Sequence, residues 1–176
     1  WTKKNSRGSS LMPSPGPVVS NSGPLIVLSR VNHLDLLANL YGSIVVPNAV
    51  FAEVVEAGAG RPGAAEVAGR SWVVRSGVVP PPDPLLSHEL GAGEAEAITL
   101  AKSVGAGLLL VDEVKARRLA VLVYGLRVKG TAGVLVEAKR RGFLERVKPI
   151  IEEMQAHRVF LSRKVIERTL KEAGEL

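Results

Sequence analysis

Five short aliphatic runs alternate with helical stretches along this chain, and that alternation restricts the fold more than any other feature. The runs are Val18–Ser20, Ile44–Val46, Ser71–Arg75, Leu108–Val111 and Leu126–Lys129. Strands spaced by helical segments predict a parallel sheet with helices on both faces, because each strand must return through a crossover. The first crossover shows the pattern. Pro24 opens a helix, where a missing N–H costs nothing, and Leu25, Leu28, Val31, Leu34, Leu37 and Leu40 recur at helical spacing. An interruption is expected near Asn32–His33, with a second helix from Leu34. Further helices are expected from Pro47, over 64–68, 94–104, 114–124, 131–141, 144–156 and 162–173, with 79–84 (VPPPDP) as a stiff loop.

Composition agrees with such a sheet. Hydrophobic residues make up 46% but aromatics only 4%, an aliphatic mix suited to strands buried on both faces. With 176 residues, one domain can bury a full core. The chain has no cysteine, which excludes disulfides and thiolate zinc sites. Its three histidines (His33, His88, His157) do not fall at metal-ligand spacing. Trp1–Leu11, polar, patternless and followed by Met12, is read as a tag or upstream residues, expected to be disordered. Without Lys3, Lys4 and Arg7 the 23 basic side chains fall to 20, against 17 acidic ones. That balance is compatible with RNA binding without arguing for it. No run is long and apolar enough to span a bilayer, and a soluble cytoplasmic protein without a membrane partner is expected.

Glu53, Glu94, Asp112 and Glu113 each lie just past an apolar run or in the helix after it. In a parallel sheet all of these positions gather at the carboxyl edge, where doubly wound proteins build their sites. Converging carboxylates are costly unless a cation or protons neutralise them, so the pattern implies a hard-metal site. A fifth position, after the first strand, holds Asn21. Each acid alone has a plainer reading: Glu94 complements a helix dipole, Asp112 caps the next helix, and Glu53 sits on a solvated face beside Glu56.

Other strings carry less. Gly58–Gly63 matches GxGxxG but follows a helix and contains a proline, so its amides would not face a pyrophosphate. No Walker-type Gly-Lys-Ser/Thr and no Gly-x-Ser-x-Gly elbow occurs. Lys115, Arg117, Arg118 and Lys139–Arg141 are read either as solvated helix faces or as phosphate contacts. Gly130–Leu135 follows a strand and opens a helix, so Thr131 could cap that helix or hold a phosphate.

The chain resembles the PIN domain, a family of metal-dependent ribonucleases that includes VapC-type toxins. The resemblance spans 18–175 and rests on VVSNSGPLIVLSRVNHLDLL (18–37), IVVPNAVFAEVV (44–55), GAGEAEAITLAKSVGAGLLLVDEVKARRLA (91–120) and GTAGVLVEAKRRGFL (130–144). It implies a single domain with a three-layer α/β/α fold around a parallel sheet of four to five strands. By position, the family's acids fall on Asn21, Glu53, Glu94 and Asp112, with Glu113 as an additional acid. Ser22 falls on a small hydroxyl position that helps to bind metal or water, and Thr131 on the rim of the pocket. The resemblance further implies Mg²⁺ or Mn²⁺ as cofactor, an RNA substrate reached with help from Arg117 and Arg118, a small antitoxin partner and a homodimer. Exposed apolar positions of the first helices would form the dimer interface. Asn21 departs from the pattern: an amide oxygen can ligate a hard cation, but one negative charge is lost. A catalytically degenerate RNA- or partner-binding relative is the alternative, and a Rossmann-like nucleotide binder is the third reading.

Overall fold

The computed structural model describes residues 16–176; the expectation for residues 1–11 lies outside them. Five strands form one all-parallel sheet in the order β3-β2-β1-β4-β5. They are β1 (Val18–Ser20), β2 (Ile44–Pro47), β3 (Val73–Ser76), β4 (Leu108–Leu110) and β5 (Val128–Lys129). From β1 the chain winds outward through β2 and β3, then returns to build β4 and β5 on the other side. The β1/β4 boundary is therefore the switch point, where a crevice opens outside the strand ends.

Alternation along the strands divides the core in two, because successive side chains point to opposite faces. Val18, Ile44, Val46 and Leu110 face the layer of α1 (Ser22–Arg30), α2 (Leu36–Tyr41), α8 (Thr131–Arg140), α9 (Lys148–Ala156) and α10 (Arg163–Glu172). Val19, Leu109 and Val111 face that of α5 (Pro84–Glu89), α6 (Ala92–Ser103) and α7 (Val114–Leu122). Leu25, Leu28, Val31, Leu34, Leu37 and Leu40 are all buried, each such burial contributing about 1.5–3 kcal/mol relative to exposure. The predicted interruption falls at Asn32, whose φ of +56° ends α1. This stripe is therefore spent on the core.

Strand and helix ends shift by a residue or two, as with β3 and β5, and three larger differences from the sequence reading have a physical cause. Pro84–Glu89 is a helix, because the Asp83 carboxylate caps it by accepting from the Leu86 N–H at 3.0 Å and Pro84 sits in its first turn. The helix expected from Leu144 starts at Lys148, since Pro149 is tolerated only in a first turn. After β2, α3 (Asn48–Phe51) widens into a π-helical turn at Ala52–Glu56, closed by the Ala57 N–H on the Ala52 carbonyl at 2.8 Å. α4 (Ala64–Ala68) follows, after turns at Gly58–Gly63.

Candidate functional site

The site forms where the sheet's hydrogen bonding runs past the strand ends. The Asn21 N–H donates to the Leu110 carbonyl (2.9 Å) and the Val111 N–H to that of Lys129 (2.9 Å). These bonds fix Asn21 and Asp112 side by side at the switch point. From there the segment Asn21-Ser22-Gly23 meets Glu94, Glu53 and Asp112 in turn. The Asn21 Nδ2 donates to Glu94 Oε1 at 3.5 Å, and the Ser22 hydroxyl to Glu53 Oε1 at 3.2 Å. A Cβ added at Gly23 would stand 3.3 Å from Asp112 Oδ2.

Glu94 comes from the first turn of α6 and Glu53 from the π-helical turn, a local widening often found at functional sites. Two small features hold them there. Glu96, on the next face of α6, accepts the Ala49 N–H at 2.9 Å and so ties α3 to α6. Gly93 leaves the space between them open: a Cβ there would lie 2.7 Å from Glu53 Oε2 and 3.4 Å from Asn21 Oδ1. Asn21 is 3% exposed, and its Oδ1 is a buried oxygen with no hydrogen-bond partner. With the Nδ2 turned to a carboxylate, the carbonyl oxygen must face this gap.

Asp112 is held differently. Its Oδ1 accepts the Thr131 N–H (2.7 Å) and its Oδ2 the Thr131 hydroxyl (2.6 Å). It therefore caps α8, nineteen residues downstream, rather than α7. Gly130 permits the approach, since a Cβ there would meet Asp112 Oδ1 at 2.9 Å and the Arg117 Nη1 at 3.4 Å. Thr131 is 2% exposed and spent on Asp112.

Some expected participants are placed elsewhere. Glu113 is exposed and caps α7, accepting the Ala116 N–H at 2.6 Å. Arg117 does flank Asp112, but Arg118 lines a separate shallow groove with Leu119 and Leu122. Lys139 pairs with Glu175 at 2.7 Å, and Arg141 donates to the Leu40 carbonyl at 2.7 Å. Both therefore serve the far end of α8.

Among the described residues, no three acidic or histidine side chains stand close enough to hold a metal by themselves. The expected convergence of three carboxylates is thus replaced by two groups, Asn21–Glu53–Glu94 and Asp112–Thr131, joined through Asn21-Ser22-Gly23. Thr131 draws Asp112 toward α8. None of Glu53, Glu94 and Asp112 forms an ion pair among the described residues. The donor set still fits a hard divalent cation: an orphaned buried amide oxygen, unpaired carboxylates and a gap one methyl group would fill.

This all-parallel doubly wound sheet, with its acid-and-amide crevice at the switch point, agrees with comparison against known families. A family model described as a PIN domain matches residues 17–175. The chain belongs to the PIN-domain family, and that membership points to a nuclease-type function. No curated protein matches the chain. Among the described residues, no helix is long and apolar enough to cross a membrane.

Proposed function

We propose that this protein is a metal-dependent endoribonuclease resembling the toxin of a toxin–antitoxin pair, with affinity for its metal weakened by Asn21. The observation that carries the reading is the buried Asn21 Oδ1, which faces the Gly93 gap beside Glu53 without a partner. A buried carbonyl oxygen left unpaired is costly, and a cation satisfies it. Glu53, Glu94 and Asp112 would hold Mg²⁺ or Mn²⁺, with Asn21 as the neutral ligand. When bound, such an ion supplies Lewis-acid activation for in-line displacement at a phosphodiester.

The chain's own residues prepare the site. Ser22 fixes the Glu53 carboxylate, and Thr131 fixes both oxygens of Asp112 while leaving lone pairs for further coordination. Arg117 provides a cation beside Asp112 for a phosphate of the RNA. A small antitoxin and a homodimer belong to the same reading, by family resemblance.

Cleavage of single-stranded RNA is expected with Mn²⁺, and with high Mg²⁺. It should be abolished by EDTA and strongly reduced by Glu94→Gln. A protein that binds RNA but shows no Mn²⁺-dependent cleavage would instead be the degenerate relative, which the neutral Asn21 favours. Metal-independent cleavage that survives Glu94→Gln would overturn the site.

A further inference from the structure

Beside Asp112 the carboxyl edge opens into a groove of about 550 Å³, within the ~300–1,000 Å³ typical of small-ligand sites. Its near wall is the start of α8, including Thr131, and its far wall is the α9–α10 connection around Phe160. Phe160 is 89% exposed, the most exposed large hydrophobic side chain among the described residues. In a chain with only 3 phenylalanines, one of them stands free at the lip of the groove next to the candidate site.

The groove carries cations as well as the acids Asp112 and Glu172. Arg117 and Arg168 both line it. Arg168 gives its Nε to Glu172 at 2.7 Å, which leaves the terminal amines of the guanidinium to other acceptors. Lys129 also lines the groove, but its ammonium is committed to Glu137. Two guanidiniums and a bare phenyl ring around an apolar floor complement a strand that carries phosphates outside and flat π-faces inside. The groove is continuous with Asp112, so a strand with its scissile phosphate at the acids would run directly into it.

We propose that this groove holds an unpaired nucleotide of single-stranded RNA beside the cleaved phosphate, its base stacked on Phe160 and its backbone met by Arg117 and Arg168. The inference rests on the ribonuclease reading of the neighbouring acids and adds a subsite that takes one unpaired base. Stacking on Phe160 requires a splayed base, so an A-form duplex, whose bases stay in the helix, is excluded.

Binding of a fluorescein-labelled single-stranded oligoribonucleotide, measured by anisotropy in EDTA so that nothing is cut, tests it. Phe160→Ala should weaken binding about ten-fold, as expected for one base stacked on an aromatic ring, and Phe160→Trp should retain it. An oligonucleotide with one abasic nucleotide in the contacted position should lose the same affinity and be insensitive to Phe160→Ala. Arg168→Gln should lower the salt slope by about 0.7. Unchanged affinity in Phe160→Ala, equal binding of a hairpin duplex, or no binding of RNA by the wild-type protein would each overturn the groove assignment. Phe160-dependent binding without Mn²⁺-dependent cleavage would keep the groove and refute the nuclease reading. Cleavage unaffected by Phe160→Ala would do the reverse.

Discussion

Replacing Asn21 by aspartate should change sign with metal, and the geometry sets the size of both effects. The Asn21 amide nitrogen lies 3.5 Å from Glu94 Oε1, so Asn21→Asp puts a second negative charge at that distance. Two unit charges so placed repel by about 5 kcal/mol at an effective dielectric of ~20. Protonation limits the penalty. Keeping an aspartate of reference pKa ~3.9 neutral at pH 7 costs about 4 kcal/mol, and at pH 5 about 1.5 kcal/mol. In EDTA the variant should therefore be less stable by up to about 4 kcal/mol at pH 7, lowering Tm by roughly 8–16 °C for a chain of this size. The sign follows from linkage: a carboxyl whose folded pKa is raised loses stability as pH climbs above its unfolded value. A divalent cation reverses the balance, because one more unit negative charge ~4 Å from a doubly charged ion is worth about 8 kcal/mol of attraction at the same effective dielectric. Thermal unfolding at pH 5 and pH 7, with EDTA and with a Mn²⁺ series, measures all of this. The Tm deficit should shrink at pH 5 and vanish in saturating Mn²⁺, and the Mn²⁺ midpoint should fall at least about ten-fold, or ~1.4 kcal/mol. A variant as stable as wild type in EDTA, or one that Mn²⁺ does not rescue, would refute the placement of Asn21 among the ligands.

Two further predictions test the surroundings. Gly93→Ala puts a methyl group 2.7 Å from Glu53 Oε2 inside a helix, where alanine is favoured over glycine by about 1 kcal/mol; the variant should fold yet lose Mn²⁺ affinity by calorimetry, and unchanged affinity would place the cation elsewhere. Glu175, whose side chain is 7% exposed, resists the upward pull of burial through Lys139 and the amides of Val147 and Lys148, which hold its pKa down at about 2. That contribution of about 3 kcal/mol is present above the ordinary ~4.5 and lost as pH falls towards 2. Glu175→Gln should cost a similar amount at neutral pH and flatten the acid limb of the stability curve, whereas an unaltered limb would exclude the pairing.

The strands, the buried stripe from Leu25 to Leu40 and the positions of Asn21 and Asp112 just past β1 and β4 were legible in the chain, because periodicity and strand ends are local properties. The helix at Pro84–Glu89 carried a readable signal too, an Asp-Pro start that the proline-rich flank obscured. Other features had no local sign. Asp112 caps α8 and leaves α7 to Glu113, Glu96 supports α3, and Glu175 closes the start of α9. Lys139 and Arg141, a basic run on paper, are drawn to Glu175 and the Leu40 carbonyl. Phe160 and Arg168 lie on the C-terminal segment and reach the acidic edge only through the packing of α9 and α10. A carboxylate or guanidinium can serve any partner in reach, and which partner it meets depends on packing across dozens of residues. Periodicity fixes which face of an element is buried; tertiary packing decides which polar group each exposed side chain finds.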